Sequence, residues 1–199
     1  LLQQYHTRPE ALTTQTRSTL ADIIHSAKLD SAEADTLLSP SGKFRLIYTT
    51  SGQDSVPSLD RDNNQIPDYV EWAASYADSS WRYEVSTLGF PDPVADRSAP
   101  YEIHFINLDR YGGYYGLTYT TDDQSSTYIQ VHSTFNNFPA NTDPDGDVKG
   151  ALKVTIAHEL KHAINYLITR WSGEPDAWGE MDATLMEELV YDNVNDYYN

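Results

Sequence analysis

The chain has 199 residues, enough for one domain with a substantial core or for two lobes that share a cleft. Thirty acidic against thirteen basic residues leave a formal charge of -17, a field that repels nucleic acid and anionic membrane surfaces and favours metal cations. Cysteine is absent, which excludes disulfides, thiol catalysis and Cys-ligated zinc together, so any metal must rest on His, Asp and Glu.

Residues 1–41 are polar, with weak helical patterning at Leu12, Leu20, Ile23 and Ile24, and a Pro40-Ser41-Gly42 break follows. They read as an arm or a pro-segment ahead of a single domain over 42–199, and the absence of an initial Met reads as a processed start. No run approaches the roughly 20 apolar residues a membrane helix needs. Residues 43–50 alternate, with Phe44, Leu46 and Tyr48 on one face and Ile47 on the other, which predicts a strand. After an acidic loop, Val70, Ala74, Ala77, Trp81, Val85 and Leu88 recur at helical spacing, so a helix is expected over 69–88 until Gly89 and Pro91 end it.

Strands are expected at 101–108 and 127–132, separated by the Gly- and Tyr-rich turn 111–116. A second acidic loop over 141–147 leads into a helix over 148–170, and a last helix is expected over 180–196. The order predicts an α+β fold: a small twisted sheet with a backing helix, followed by two further helices.

Residues 60–71 carry oxygen ligands in the register of a calcium loop. Asp60, Asp62, Asn64, Asp68 and Glu71 stand at positions 1, 3, 5, 9 and 12, and the Ile66 carbonyl at position 7. Gln65 occupies the position where Gly normally supplies a left-handed turn, at a cost of about 1 kcal/mol. Pro67 lacks the N–H that would pair with a sister loop, so a solitary stabilising site is expected, not a paired sensor. The competing reading is a plain turn with Asp68 capping the next helix and Glu71 as its box partner. The second loop has Asp143, Asp145, Gly146 and Asp147 but Val154 at the closing position, which leaves a helix-capping turn as its alternative to calcium.

The most informative segment is HELKH, His158 to His162. On a helix, residues i and i+4 lie about 40° apart, so both imidazoles can reach one tetrahedral cation with Glu159 beside them. Ala157, Leu160, Ala163, Ile164, Leu167 and Ile168 form an apolar arc, and Thr155, His158, His162, Asn165 and Thr169 share the other side, so the histidines are expected to border a cleft. A catalytic zinc takes three protein ligands, and Glu180 and Glu187 share one face of the last helix with Thr184 and Tyr191; either could be the third.

HELKH followed by W-G-E-M-D-A-T-L-M-E-E over 178–188 resembles the gluzincin branch of the zincin metallopeptidases, and residues 44–199 are similar to a family of secreted bacterial metalloproteases in that group. The resemblance implies a zincin-like fold and a zinc-dependent endopeptidase acting on peptide or protein substrates. It implies His158, His162 and Glu180 as zinc ligands and Glu159 as general base. Glu187 or Glu188 is then expected to orient a ligand histidine through its second ring nitrogen. Secretion is expected from the resemblance together with the calcium loop, since extracellular calcium fills even weak sites of about 10⁻⁴ to 10⁻³ M.

Two departures stand out. Lys161 occupies an inner motif position where the family carries an apolar residue, and it is expected either to tune the site or to reach solvent. Gluzincins take a Tyr or His oxyanion stabiliser from a later segment, for which Tyr191, Tyr197 and Tyr198 are the candidates here. The rival functions are a non-catalytic, metal-stabilised surface or binding module, and a latent enzyme blocked by its arm. His104 and His132 read as hydrogen-bonded structural residues. The turn 111–116 reads equally as an aromatic-packed turn or as the wall of a substrate groove beside an edge strand.

Overall fold

Runs of β-branched and aromatic residues set the strands. The computed structural model describes residues 34–95, 98–172 and 176–195, and within them five strands form one mixed sheet. These are β1 (Asp35–Leu38), β2 (Phe44–Tyr48), β3 (Tyr101–Ile106), β4 (Gly116–Thr120) and β5 (Thr127–His132), in spatial order β1-β2-β3-β5-β4. The inner pairs β2–β3 and β3–β5 are parallel, and the outer pairs β1–β2 and β4–β5 are antiparallel.

The register explains which face became the core. Leu46 is opposite Ile103, Ile103 opposite Ile129, and Ile129 opposite Thr118, so one row crosses the sheet from β2 to β4. With Phe44, Tyr101, Phe105 and Val131 these residues line one apolar face and are almost wholly buried. Each such side chain contributes about 1.5–3 kcal/mol on leaving water. The opposite face carries His104, Tyr128, Gln130 and Tyr119, with a small satellite cluster of Ile106 and Leu108 against Tyr111 and Leu117.

Three α-helices are present among the described residues: α1 (Asp68–Trp81), α2 (Asp147–Thr169) and α3 (Asp176–Tyr191). The small residues Ala73, Ala74 and Ala77 let α1 approach the apolar face, where the Tyr69 hydroxyl donates to the His132 carbonyl at 2.8 Å. The single helix expected over 69–88 changes pitch: α1 passes into π-helical turns at Arg82–Thr87, which carry the buried Glu84.

α2 contacts β4 and β5 as well as α1 and α3, and this overrides its apparent amphipathicity. Thr155 and Asn165, read from sequence as part of the polar side, are buried, whereas Leu167 and Ile168 from the apolar arc are exposed. α3 packs on α2 through Ala183 and Met186 and begins at Asp176, earlier than expected.

The α+β expectation is met, with two strands the sequence reading lacked. β1 lies inside the stretch read as an arm, and β4 directly follows the Gly- and Tyr-rich turn. The rest of the arm, with His6 and His25, lies outside the described residues, as do Tyr197 and Tyr198. No helix of the described residues is long and apolar enough to cross a membrane.

Candidate metal centre

His158 and His162 stand one turn apart on α2, and their Nε2 atoms are 3.0 Å from each other. Glu180, in the first turns of α3, completes the group: its Oε2 is 3.3 Å from His158 Nε2 and its Oε1 is 3.5 Å from His162 Nε2. A tetrahedral ion bound at about 2.0–2.1 Å holds its donors about 3.3–3.4 Å apart, and the separations here, two of them to different Glu180 oxygens, lie within a few tenths of an ångström of that. Among the described residues this is the group of His and carboxylate ligand atoms close enough to share one ion. Glu180, and not Glu187, belongs to this group.

Glu187 lies behind the cluster. Its Oε1 is 2.5 Å from His158 Nδ1, which turns Nε2 toward His162 and Glu180. Burial alone would push the His158 imidazole down, but hydrogen bonds to Glu180 and Glu187 outweigh it and raise the group to about 10. The Glu180 carboxyl is held well below the usual carboxylate range by hydrogen bonds from His158 and then His162. This concentration of negative charge is what a divalent cation would find there.

Glu159, buried on α2, faces β4: the Thr118 hydroxyl lies 2.7 Å from Glu159 Oε2 and 2.9 Å from the Glu159 carbonyl. The close approach of β4 to α2 depends on Gly116, because a Cβ there would lie 2.7 Å from Thr155 Cγ2 and 2.8 Å from Glu159 Cγ. Sequence reasoning missed Thr118 because it missed β4.

Two expectations need correction. Lys161 does not reach solvent: it is 2% exposed, its ammonium bonds Asn165 and Asp182, and it lies over the Phe90 ring. Tyr191 is not free to stabilise an oxyanion, because its buried hydroxyl is engaged by α1, donating to the Tyr76 carbonyl at 3.2 Å with Ser80 Oγ 3.4 Å away. Tyr191 and Glu187 therefore share a helix face but serve opposite neighbours.

The 60–71 loop wraps around Asn64. Its backbone N–H donates to Asp60 and Asp62 at 3.2 Å each, and its side-chain amide donates to Asp62 at 3.1 Å and to Glu71 at 2.8 Å. Gln65 adopts φ 72°, the left-handed turn expected of that position, and its N–H donates to Asp60 at 2.8 Å. Asp60, Asp62 and Glu71 thus each meet Asn64, but their carboxylates do not form a group close enough to share one ion. Asp68 departs from the register, since its carboxylate accepts the Arg61 N–H at 3.0 Å and pairs with the Arg61 guanidinium. The capping alternative is not realised either, because Pro67 is the N-cap of α1 and no side chain caps it.

The second acidic loop is neutralised from within. Lys153 Nζ lies 2.7 Å from Asp143 Oδ2 and 3.1 Å from Asp145 Oδ2, and Asp147 accepts the Asn141 N–H at 3.0 Å. His104 and His132 are buried as expected: His104 pairs with Glu102 at 3.2 Å, and His132 Nδ1 accepts the Thr134 N–H at 3.1 Å.

Comparison with protein-family models, with curated proteins and with solved structures finds no match.

Proposed function

We propose that the chain is a zinc-dependent endopeptidase with a zincin-like, gluzincin-type catalytic domain, secreted and stabilised by calcium. The observation that carries this reading is the convergence of His158 Nε2 and His162 Nε2, 3.0 Å apart, on the Glu180 carboxylate, whose Oε2 is 3.3 Å from the first and Oε1 3.5 Å from the second, with Glu187 orienting His158 from behind.

These three residues would hold the ion, which when bound supplies Lewis acidity toward water and a peptide carbonyl. Glu159 accepts a proton from water on its carboxylate and returns it to the leaving amine. Thr118 fixes that carboxylate by donating to Oε2, and the burial of Glu159 limits competing solvent around it. β4 lies at the sheet edge beside α2, so an extended peptide could pair with it and pass the cluster. Asp60, Asp62, Asn64, the Ile66 carbonyl and Glu71 would hold calcium where the chain enters α1, and Asp68 serves Arg61 instead.

The test is cleavage of a mixed peptide library by zinc-loaded, calcium-saturated protein beside its Glu159→Gln variant, read by mass spectrometry. Internal cuts by the parent alone are expected. Zinc binding without cuts by either protein would replace this reading with a non-catalytic metal module, unless removal of residues 1–33 releases activity and reveals a latent enzyme.

A further inference from the structure

A lysine with 2% exposure is an unusual occupant of a helix core, and it stands one position before His162. Its ammonium bonds Asn165 Oδ1 on its own helix and Asp182 Oδ2 on α3, and Asn165 Nδ2 donates to the same Asp182 oxygen at 3.2 Å. The result is a closed triangle joining α2 to α3. On α3, Asp182 follows Glu180 by two residues.

Glu180 itself has little else to hold it. Its side chain is 66% exposed, and among the described residues its carboxylate meets only His158 and His162. Where that carboxylate sits is therefore decided by where α3 sits. A slip of one residue along a helix moves every side chain by about 1.5 Å, whereas metal–ligand distances tolerate about 0.2 Å.

We propose that Lys161 and Asp182 form a positioning clamp that fixes the register of α3 on α2 and so holds the Glu180 carboxylate opposite His158 and His162. The inference rests on the zinc reading given above. A net contribution to stability is a poor explanation for the pair, because taking the lysine ammonium out of water offsets much of its attraction to Asp182, which stays partly exposed, and a methionine would fill the same space beside Phe90. Fixing a register is the best-attested use of a charged residue buried with its partner in this way. The clamp also accounts for Lys161 at a motif position where an apolar side chain would satisfy the packing.

The experiment compares the full chain with Lys161→Met, Asp182→Asn, the double variant and Glu180→Gln. Zn²⁺ affinity is measured by competition with a chromogenic chelator, the Co²⁺ visible spectrum reports coordination number, and metal-free thermal unfolding serves as the fold control. Lys161→Met and Asp182→Asn should each lose about 10-fold to 100-fold in Zn²⁺ affinity, the range seen when a group supporting a ligand is removed. Their Co²⁺ spectra should weaken toward higher coordination, and the double variant should lose no more than the worse single one. Asp182 is partly exposed, so Asp182→Asn keeps the test decisive if Lys161→Met fails to fold.

Parent-like affinity and an unchanged Co²⁺ spectrum in Asp182→Asn, with Glu180→Gln impaired, would overturn the clamp and leave the metal site standing. So would a lower unfolding temperature with no change in either metal readout. A parent that binds no Zn²⁺, or a Glu180→Gln variant that binds it like the parent, would overturn the site reading and the clamp together.

Discussion

His158 Nδ1 lies 2.5 Å from Glu187 Oε1, and this one contact settles which of the two ring nitrogens faces His162 and Glu180. Glu187→Gln keeps the shape but removes the charge that strengthens the imidazole as a donor. Zn²⁺ affinity should fall about 10-fold to 100-fold, as measured by chelator competition, and metal-free unfolding should move to lower stability as well, because the same contact helps raise the His158 imidazole. Affinity within twofold of the parent would mean that Glu187 does not tune the site.

The β4–α2 contact makes a second prediction. Gly116→Ala places a methyl group 2.7 Å from Thr155 Cγ2 and 2.8 Å from Glu159 Cγ, so the strand has to move away. Denaturant unfolding should show a loss of about 1–3 kcal/mol, the range for overpacking. Thr118→Val removes the hydroxyl that donates to Glu159 while nearly keeping the volume. It should leave Zn²⁺ affinity intact and lower peptide cleavage by about 10-fold, within the contribution of a positioned general base.

Much of this arrangement was legible beforehand, for reasons that differ by element. β2, β3 and β5 announced themselves through apolar runs, and the HELKH spacing brought two imidazoles onto one helix face. Helical phase alone does not separate Glu180 from Glu187 as the third candidate, because the residues lie within about 20° of each other around α3; only the position of α3 on α2 separates them. β4 was hidden because Gly116, Thr118 and Thr120 form its core-facing set, with α2 packed against it where bulky apolar residues would otherwise mark a strand. Lys161 could not be placed, since a charged residue is buried only when a partner distant in sequence awaits it, here Asp182.

Calcium makes the third prediction. In a chelator the thermal midpoint should fall, and restoring calcium to about 100 times its dissociation constant should return about 2.7 kcal/mol. Asp62→Ala should abolish that response. Gln65→Gly should raise the thermal midpoint in chelator by relieving the left-handed φ of 72° that the loop already adopts, a strain of about 1 kcal/mol. Isothermal titration of the three proteins decides the matter, and a parent with no calcium heat would refute the site.

Glu84 provides a test by pH. Burial pushes its carboxyl well above the usual carboxylate range, against the pull of Lys161, and neither carboxylate oxygen has a hydrogen-bond partner among the described residues. The folded state thus retains a proton that the unfolded chain releases above its ordinary value of 4.5. Stability from this group is fully present below that value and is lost as pH rises toward the folded value. Glu84→Gln should remove this slope, so the variant gains on the parent as pH climbs from 5 to 8 in denaturant titrations. Parallel curves for the two proteins would refute it.

The strand order carries a consequence for how the chain reaches this state. β1 and β2 are neighbours in sequence and can pair early, but the other edge of β2 must wait for β3, which arrives only after all of α1. During that interval Phe44, Leu46 and Ile47 present an apolar strand edge to any chain nearby. Loop closure between such distant segments is slow, so assembly is governed by topology and competes with intermolecular pairing. Refolding yield should therefore depend on dilution well before any metal has a site to enter.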